Sequence, residues 1–303
     1  MVSVDVLVTD KRTGARVEDL KRENFEVLDD GRPVSITHFS QGADPNRPLA
    51  LILFVNVRHT TKAVVPRLRE ALRQALLRLQ PEDEVAVFAF WRKGEMLQEL
   101  TRDRTKILQA LEKTVEVQRE QDSKNGASSF DSIMSETFLA GLQHAQERRP
   151  QSRIALVGID DDLNATPRAI VERTAETLVA SGAQVSGLIK VSGAFATTMK
   201  HWKRAVDTAG LSAYRPGENL EYYSAQTGGE IVNVKGDDYS AALEQVIGNL
   251  VGRYSLGFVL EENRLDGKFH KLTVKVKLPN AEDKKQKILV RARKGYFARK
   301  EGK

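Results

Sequence analysis

Cysteine is absent from the 303 residues. That excludes a disulfide framework, thiolate-ligated zinc, an iron–sulfur cluster and a cysteine nucleophile together. Aromatic residues are few, at 6%, and histidines number five. His38, His59, His144, His201 and His270 are scattered with no i, i+4 pair of histidines and no H-E-x-x-H, so no zinc site is indicated. Long apolar runs are missing too. The longest, LALILFVNV at 49–57, falls far short of the roughly 20 residues of a membrane-spanning helix, and no basic-then-apolar leader opens the chain. G-x-G-x-x-G after a strand, the Walker A sequence and the G-x-S-x-G elbow are also lacking, which removes the common nucleotide and acyl-transfer signatures.

What is present is an ordinary globular composition, 41% hydrophobic and 29% charged with 21 Gly and 9 Pro. The length suggests about two domains. The net charge is +6 with a pI near 9.4. Residues 284–303 carry nine Lys/Arg against Glu301 alone, so the basic excess belongs to the last strand and tail, and the remainder is slightly acidic. A nucleic-acid partner is therefore the weaker expectation for the middle of the chain.

The pattern along the chain changes twice. VSVDVLV at 2–8 alternates strictly, and FEVLDDGRPVSITHF at 25–39 alternates around Asp30-Gly31, which predicts a β-hairpin. ADPNRP at 43–48 marks a boundary. LALILFVN is the continuous apolar run of a strand covered on both faces. A helix follows with Leu68, Leu72, Ala75, Leu76 and Leu79 on one face, then a strand at 83–90, helices over about 101–117 and 131–148, and a strand at 153–160. A helix opened by Thr166-Pro167 and a strand at 184–191 come next. Residues 192–219 are irregular, with a helix suggested around 196–209. The segment 220–234 reads as a short helix, a Gly-Gly stop and an edge strand, and a helix follows over about 239–253. From Tyr254 the pattern returns to strands: YSLGFVL, FHKLTVKVKL and KILVRARKGYF. The expected fold is a doubly wound, mostly parallel α/β sheet over 45–253, inserted into a small β-sandwich built from 1–44 and 254–303.

On these segments the sequence resembles the von Willebrand factor A domain family, in the bacterial, acidobacterial-type group with flanking β segments. VLVTDKRTGARVEDLKRENFEVLDDGRPVSITHF, YYSAQTGGEIVNV, RYSLGFVL and VRARKGYF carry the resemblance over nearly the whole chain. The resemblance implies a metal-ion-dependent adhesion site, with Asp-x-Ser-x-Ser after the first buried strand, a Thr on a later loop and an Asp after the fourth strand. Oxygen ligands of this kind suit a hard divalent cation. Here Asn56 stands at the Asp position, Arg58 at the first Ser, Thr60 at the second and Ala127 at the Thr, while Asp160 matches the remaining Asp. Arg58 cannot ligate a cation and brings a permanent positive charge. The expectation is a degenerate, metal-free site in which Arg58 either replaces the cation and pairs with Asp160 or points into solvent. Mg²⁺ or Ca²⁺ binding is expected only if the degenerate site retains a cation.

The expected function is non-enzymatic recognition of a protein partner through Asn56, Arg58, His59, Thr60, Ser128, Ser129, Asp160 and Asp162. Resemblance also implies an extracytoplasmic setting. The alternatives are a nucleic-acid-binding protein of the Ku or Ro kind and, under another motif register, a metal-dependent adhesin. Asp160, Asp162 and Asn164 open like a calcium loop, but Ala165 and Val171 replace the Gly and Glu that such a loop needs. His59 near Ser128 or Ser129 lacks a third orienting group, so no catalytic set is indicated. Phe88 and Phe90 read as core, Trp91 as a contact residue at the strand end, and the segment from Ala194 to Gly217 as the place for individual specificity.

Overall fold

The computed structural model describes residues 1–42, 47–59, 61–122, 132–160, 166–190, 213–214, 218–234, 236, 238–260, 264–279 and 287–298. The expected helix at 196–209 lies outside them.

The N-terminal strands are β1 (Val2–Asp10), β2 (Phe25–Asp29), β3 (Arg32–Val34) and β4 (His38–Gln41). Asp30 and Gly31, with φ of 48° and 82°, close the β2–β3 hairpin. Two successive left-handed residues match the twist of the flanking strands, which is why Asp-Gly signals the hairpin in the sequence.

The middle of the chain then alternates: β5 (Leu49–Asn56), α1 (Val65–Leu76), β6 (Glu84–Phe90), β7 (Gly94–Thr101), α2 (Arg104–Asp122), α3 (Ile133–Arg148), β8 (Arg153–Asp160), β9 (Thr166–Pro167), α4 (Arg168–Ser181), β10 (Gln184–Lys190), β11 (Ala213–Tyr214), α5 (Glu218–Thr227), β12 (Ile231–Val234) and α6 (Tyr239–Val251). Six of these strands form one sheet in the order β12-β10-β8-β5-β6-β7, parallel except for β7. β5 lies inside this sheet, and residues 49–55 are all buried. Its alternate side chains feed two cores. Leu49, Leu51, Leu53 and Val55 pack with Leu68 and Leu72 of α1, Ile107 and Leu111 of α2, and Leu243 and Val246 of α6. Ala50, Ile52 and Phe54 pack with Phe138 and Leu142 of α3, Val171 and Leu178 of α4, and Leu220 and Tyr223 of α5. Each such side chain removed from water contributes about 1.5–3 kcal/mol, and burial on both faces explains an apolar run without alternation.

The chain ends in β13 (Tyr254–Phe258), β14 (Phe269–Val276), β15 (Ile288–Arg291) and β16 (Gly295–Phe297). Strands from both termini share two four-stranded sheets, β15-β1-β13-β4 and β16-β14-β2-β3. Val4 and Val6, Phe25 and Val27, Leu256 and Phe258, and Leu272 and Tyr296 lie in one core. No helix among the described residues is long and apolar enough to cross a membrane.

Two expectations need correction. A strand absent from the sequence reading, β7, forms the antiparallel edge of the main sheet. The closing segment KILVRARKGYF is two strands, because the chain leaves one sheet after Arg291 and joins the other at Gly295. The crossing backbone packs on Gly228, and the β10 backbone on Gly229. A Cβ on Gly228, whose φ is +78°, would come within 2.4 Å of the Ala292 carbonyl carbon, and one on Gly229 within 1.8 Å of the Val185 oxygen. The glycines thus permit a close approach as well as a helix stop.

Candidate functional site

From β5 the sheet grows outward through β6 and β7, then the chain returns to the other side of β5 and grows outward through β8, β10 and β12. The reversal falls between β5 and β8. In open α/β sheets the crevice beyond the strand ends at such a switch point takes the ligand. Val55 pairs with Ile159, so the next residues, Asn56 and Asp160, emerge side by side at that crevice.

Local chemistry shapes the β5 end. The Asn56 Oδ1 accepts a 3.0 Å hydrogen bond from the Arg58 backbone N–H, a short-range turn bond that Asn favours. It turns the chain into a 3-10 turn at Val57–His59. Val57 is fully buried and packs with Ala89 and Val117, while the Gln118 Nε2 donates to the Arg58 carbonyl at 3.0 Å. With its backbone held, Arg58 sets its guanidinium 5.9 Å from the centre of the Trp91 ring. Arg92 lies over the same ring at 4.9 Å, and its backbone N–H donates to the Gln121 Oε1 at 2.8 Å. Cation–π contacts at a partly exposed ring contribute about 0.5–1 kcal/mol each. The register produces this grouping: Asn56 pairs with Phe90, so the residues two further on are neighbours.

Among the expected site residues, Asn56 and Arg58 are thus brought together, and the backbone of Asp160 lies on the adjacent strand. The side chains of His59 and Asp160, and all of Thr60, Ala127, Ser128, Ser129, Asp162 and Asn164, lie outside what is described. The Arg58–Asp160 pair therefore falls outside it as well. Phe88 and Phe90 are core, 5% and 4% exposed. Arg92 was missed by the sequence reading, although its place two residues after a buried strand was a usable signal.

A second cluster escaped the sequence reading altogether, because its members are some 240 residues apart. At the β2–β3 turn, the Arg264 Nη2 lies 2.7 Å from the Asp29 Oδ2, 3.0 Å from the Asp30 Oδ2 and 2.9 Å from the His270 Nδ1. Asp29, Asp30 and His270 are close enough to share a metal ion, and the Arg264 nitrogen lies within hydrogen-bond distance of all three. His270 also approaches Asp30 through Nδ1 at 2.8 Å and Asp266 through Nε2 at 3.0 Å. Burial disfavours the charged imidazole, but these carboxylates outweigh it and raise the His270 pKa. Asp30 is lowered, first by the Lys271 backbone N–H, and Asp266 first by His270 itself. His270 stacks on Tyr296, with centroids 5.4 Å apart, and the Tyr296 hydroxyl donates to the Asp29 Oδ2 at 3.1 Å.

No family model matches the chain, and no curated protein matches it. Solved structures similar to it include the conserved hypothetical protein BatB from Bacteroides thetaiotaomicron, at 16% identity and a TM-score of 0.45, over 67% of this chain and 98% of that one. A von Willebrand factor type A protein from Catenulispora acidiphila is 10% identical with a TM-score of 0.48, over 74% of this chain and 48% of that one. Proximal thread matrix protein 1 of the mussel byssus, with a zinc-occupied MIDAS motif, is 11% identical with a TM-score of 0.42, over 70% and 50%. The chain spans about half the length of the latter two. Likenesses at this level assign this chain neither a family nor an activity.

Proposed function

We propose that the chain is a non-enzymatic recognition module of the von Willebrand A type, inserted within a β-sandwich, which binds a protein partner at the crevice beyond β5, β6 and β8. The observation that carries this reading is the reversal of strand order between β5 and β8; open α/β sheets take ligands at such reversals, and the position of Asn56 and Arg58 at the end of β5 supports the reading. A half-exposed indole flanked by two guanidinium groups supports a protein partner, because Trp and Arg are the side chains that most often dominate such interfaces. The reading divides the chain at residues 45 and 253. An extracytoplasmic setting rests on the sequence resemblance alone.

The site we propose is metal-free. Of the donors that a divalent cation would need, the Asn56 Oδ1 accepts from its own turn, and Arg58 brings a cation in place of a ligand. Calorimetric titration of the full chain with Mg²⁺, Mn²⁺ and Ca²⁺ is expected to show no stoichiometric binding at micromolar concentration; such binding, if it persists in His270→Gln, would instead support the metal-dependent adhesin. The partner reading has its own test. The chain and a doubly substituted Arg58→Ser, Trp91→Ala variant, matched by circular dichroism, are compared for captured proteins. A protein held by the first and lost by the second is expected, whereas identical capture by both rules out this face.

A further inference from the structure

The opposite end of the main sheet holds a polar cavity of about 240 Å³. It lies in the seam where the starts of β8 and β10 and the end of α4 meet β1 and the β15–β16 crossing. This volume is below the roughly 300–1,000 Å³ of pockets for drug-sized ligands and suits a small ion. Among the described residues three arginines line it, Arg47, Arg153 and Arg293, against the single carboxylate of Asp5.

These groups are incompletely satisfied. The Arg293 Nη2 donates to the Ser3 carbonyl at 2.6 Å, yet its buried Nε has no hydrogen-bond partner. Burial pulls the Arg293 pKa down to about 10, with Asp5 opposing the shift. The Arg47 Nη1 reaches the Ser3 Oγ at 2.6 Å and the Ser255 Oγ at 3.4 Å; neither acceptor is charged. Among the described residues Arg153, 6% exposed, reaches the carbonyls of Leu250 and Gly42. On the other side, the buried Asp5 Oδ1 lacks a donor. Buried polar atoms are almost always paired, so an orphaned donor, the Arg293 Nε, and an orphaned acceptor, the Asp5 Oδ1, around one cavity call for an occupant. It must be anionic to offset the excess of guanidinium groups, and it must also offer a proton to Asp5. A zwitterion would leave the excess positive charge standing, and a fully deprotonated oxyanion would face Asp5 with a lone pair.

We propose that this seam binds inorganic phosphate in its protonated form, with Arg47 and Arg293 donating to its oxygens and Asp5 accepting from its hydroxyl. Charge-assisted bonds from guanidinium to phosphate are among the stronger hydrogen bonds available. Occupancy would tie β1 and the β15–β16 crossing to the main sheet, at the end away from the proposed partner face.

The test is calorimetric titration of the full chain with inorganic phosphate, sulfate and methyl phosphate, each against chloride of matched ionic strength. One phosphate is expected per chain, with a dissociation constant below about 1 mM. Sulfate and the phosphate ester, whose neutral-pH dianions carry no proton for Asp5, should bind at least about tenfold more weakly. Arg47→Gln should weaken phosphate by at least about tenfold, and Asp5→Asn should narrow the gap between phosphate and sulfate. If Arg47→Gln does not fold, the Asp5→Asn comparison still decides. Three outcomes overturn the proposal: no saturable binding of phosphate, which leaves a solvent-filled seam; equal binding of phosphate, sulfate and ester; or phosphate binding unchanged in Arg47→Gln.

Discussion

At the scale of single residues, His270 is the group whose charge the fold manages most closely. Protonated, it can donate to Asp30 through Nδ1 and to Asp266 through Nε2. Neutral, with its proton on Nε2, it can keep Asp266 and accept from Arg264 through Nδ1. Its pKa is raised in the fold, so its contribution to stability is complete below the value of about 6.5 for an unfolded histidine and is lost as pH rises through the folded value. Asp30 and Asp266 are lowered, so their contributions are present above the usual value of about 3.9 and are lost as pH falls through the folded values. The urea midpoint is therefore expected to decline as pH rises from about 6.5 through the raised folded value of His270. His270→Gln should flatten that limb; an unchanged slope in the variant would show that another group sets it.

Among elements, the junction between α1 and β6 shows how one polar side chain fixes the start of a buried strand. Asp83 is 4% exposed, and its carboxylate accepts from the Leu49 N–H at 2.7 Å and the Gln80 N–H at 2.8 Å. The first bond holds the entry of β5, the second the turn before β6. Asp83→Ala leaves the buried Leu49 N–H without an acceptor and frees the part-buried Gln80 N–H, and is expected to cost about 1–3 kcal/mol. Asp83→Asn, which keeps one acceptor oxygen, should cost about half as much, and calorimetric unfolding of both variants measures the difference. The strand that the sequence reading lacked, β7, is polar and half exposed. Of its eight residues only Leu100 is fully buried, and its register with β6 shifts between Val85 and Phe88. An edge strand needs only one covered face, and irregular pairing blurs the alternation that would reveal it.

For the molecule as a whole, the central feature is the seam between the sandwich and the main sheet. Arg253, 1% exposed, donates to the Gly228 carbonyl at 2.8 Å. Burial pulls its pKa down to about 10, while Glu230 and Asp5 oppose the shift. Glu230 is itself 4% exposed and accepts from Gln245 and Asn249. Arg253→Met removes a positive charge close to the buried Glu230 carboxylate together with its bond to Gly228, and is expected to lower the denaturant midpoint. Adding Glu230→Gln should recover a large part of that loss, as read from denaturant midpoints; no recovery would mean that packing, and not charge, holds the seam. The basic excess of the last twenty residues also changes meaning here. Arg293 points into the seam and the Arg291 Nη1 lies 3.4 Å from the Thr9 Oγ1, so part of what the sequence presented as a basic tail is internal.

The sequence by itself determined most of the local elements and their order, β7 and the division of β15 from β16 excepted. A fully apolar run predicted β5, alternation predicted β1, Asp30-Gly31 predicted the hairpin, and helical spacing placed Leu68, Leu72, Ala75 and Leu76 on the buried face of α1. These features depend on near neighbours and on burial, which residue pattern encodes directly. The tertiary structure alone decided the groupings that draw on distant parts of the chain: the indole between Arg58 and Arg92, the ring of carboxylates around Arg264 and His270, and the arginines of the seam. Such groupings arise from strand register and sheet order. A charge's partner across the fold leaves no period in the sequence to be read.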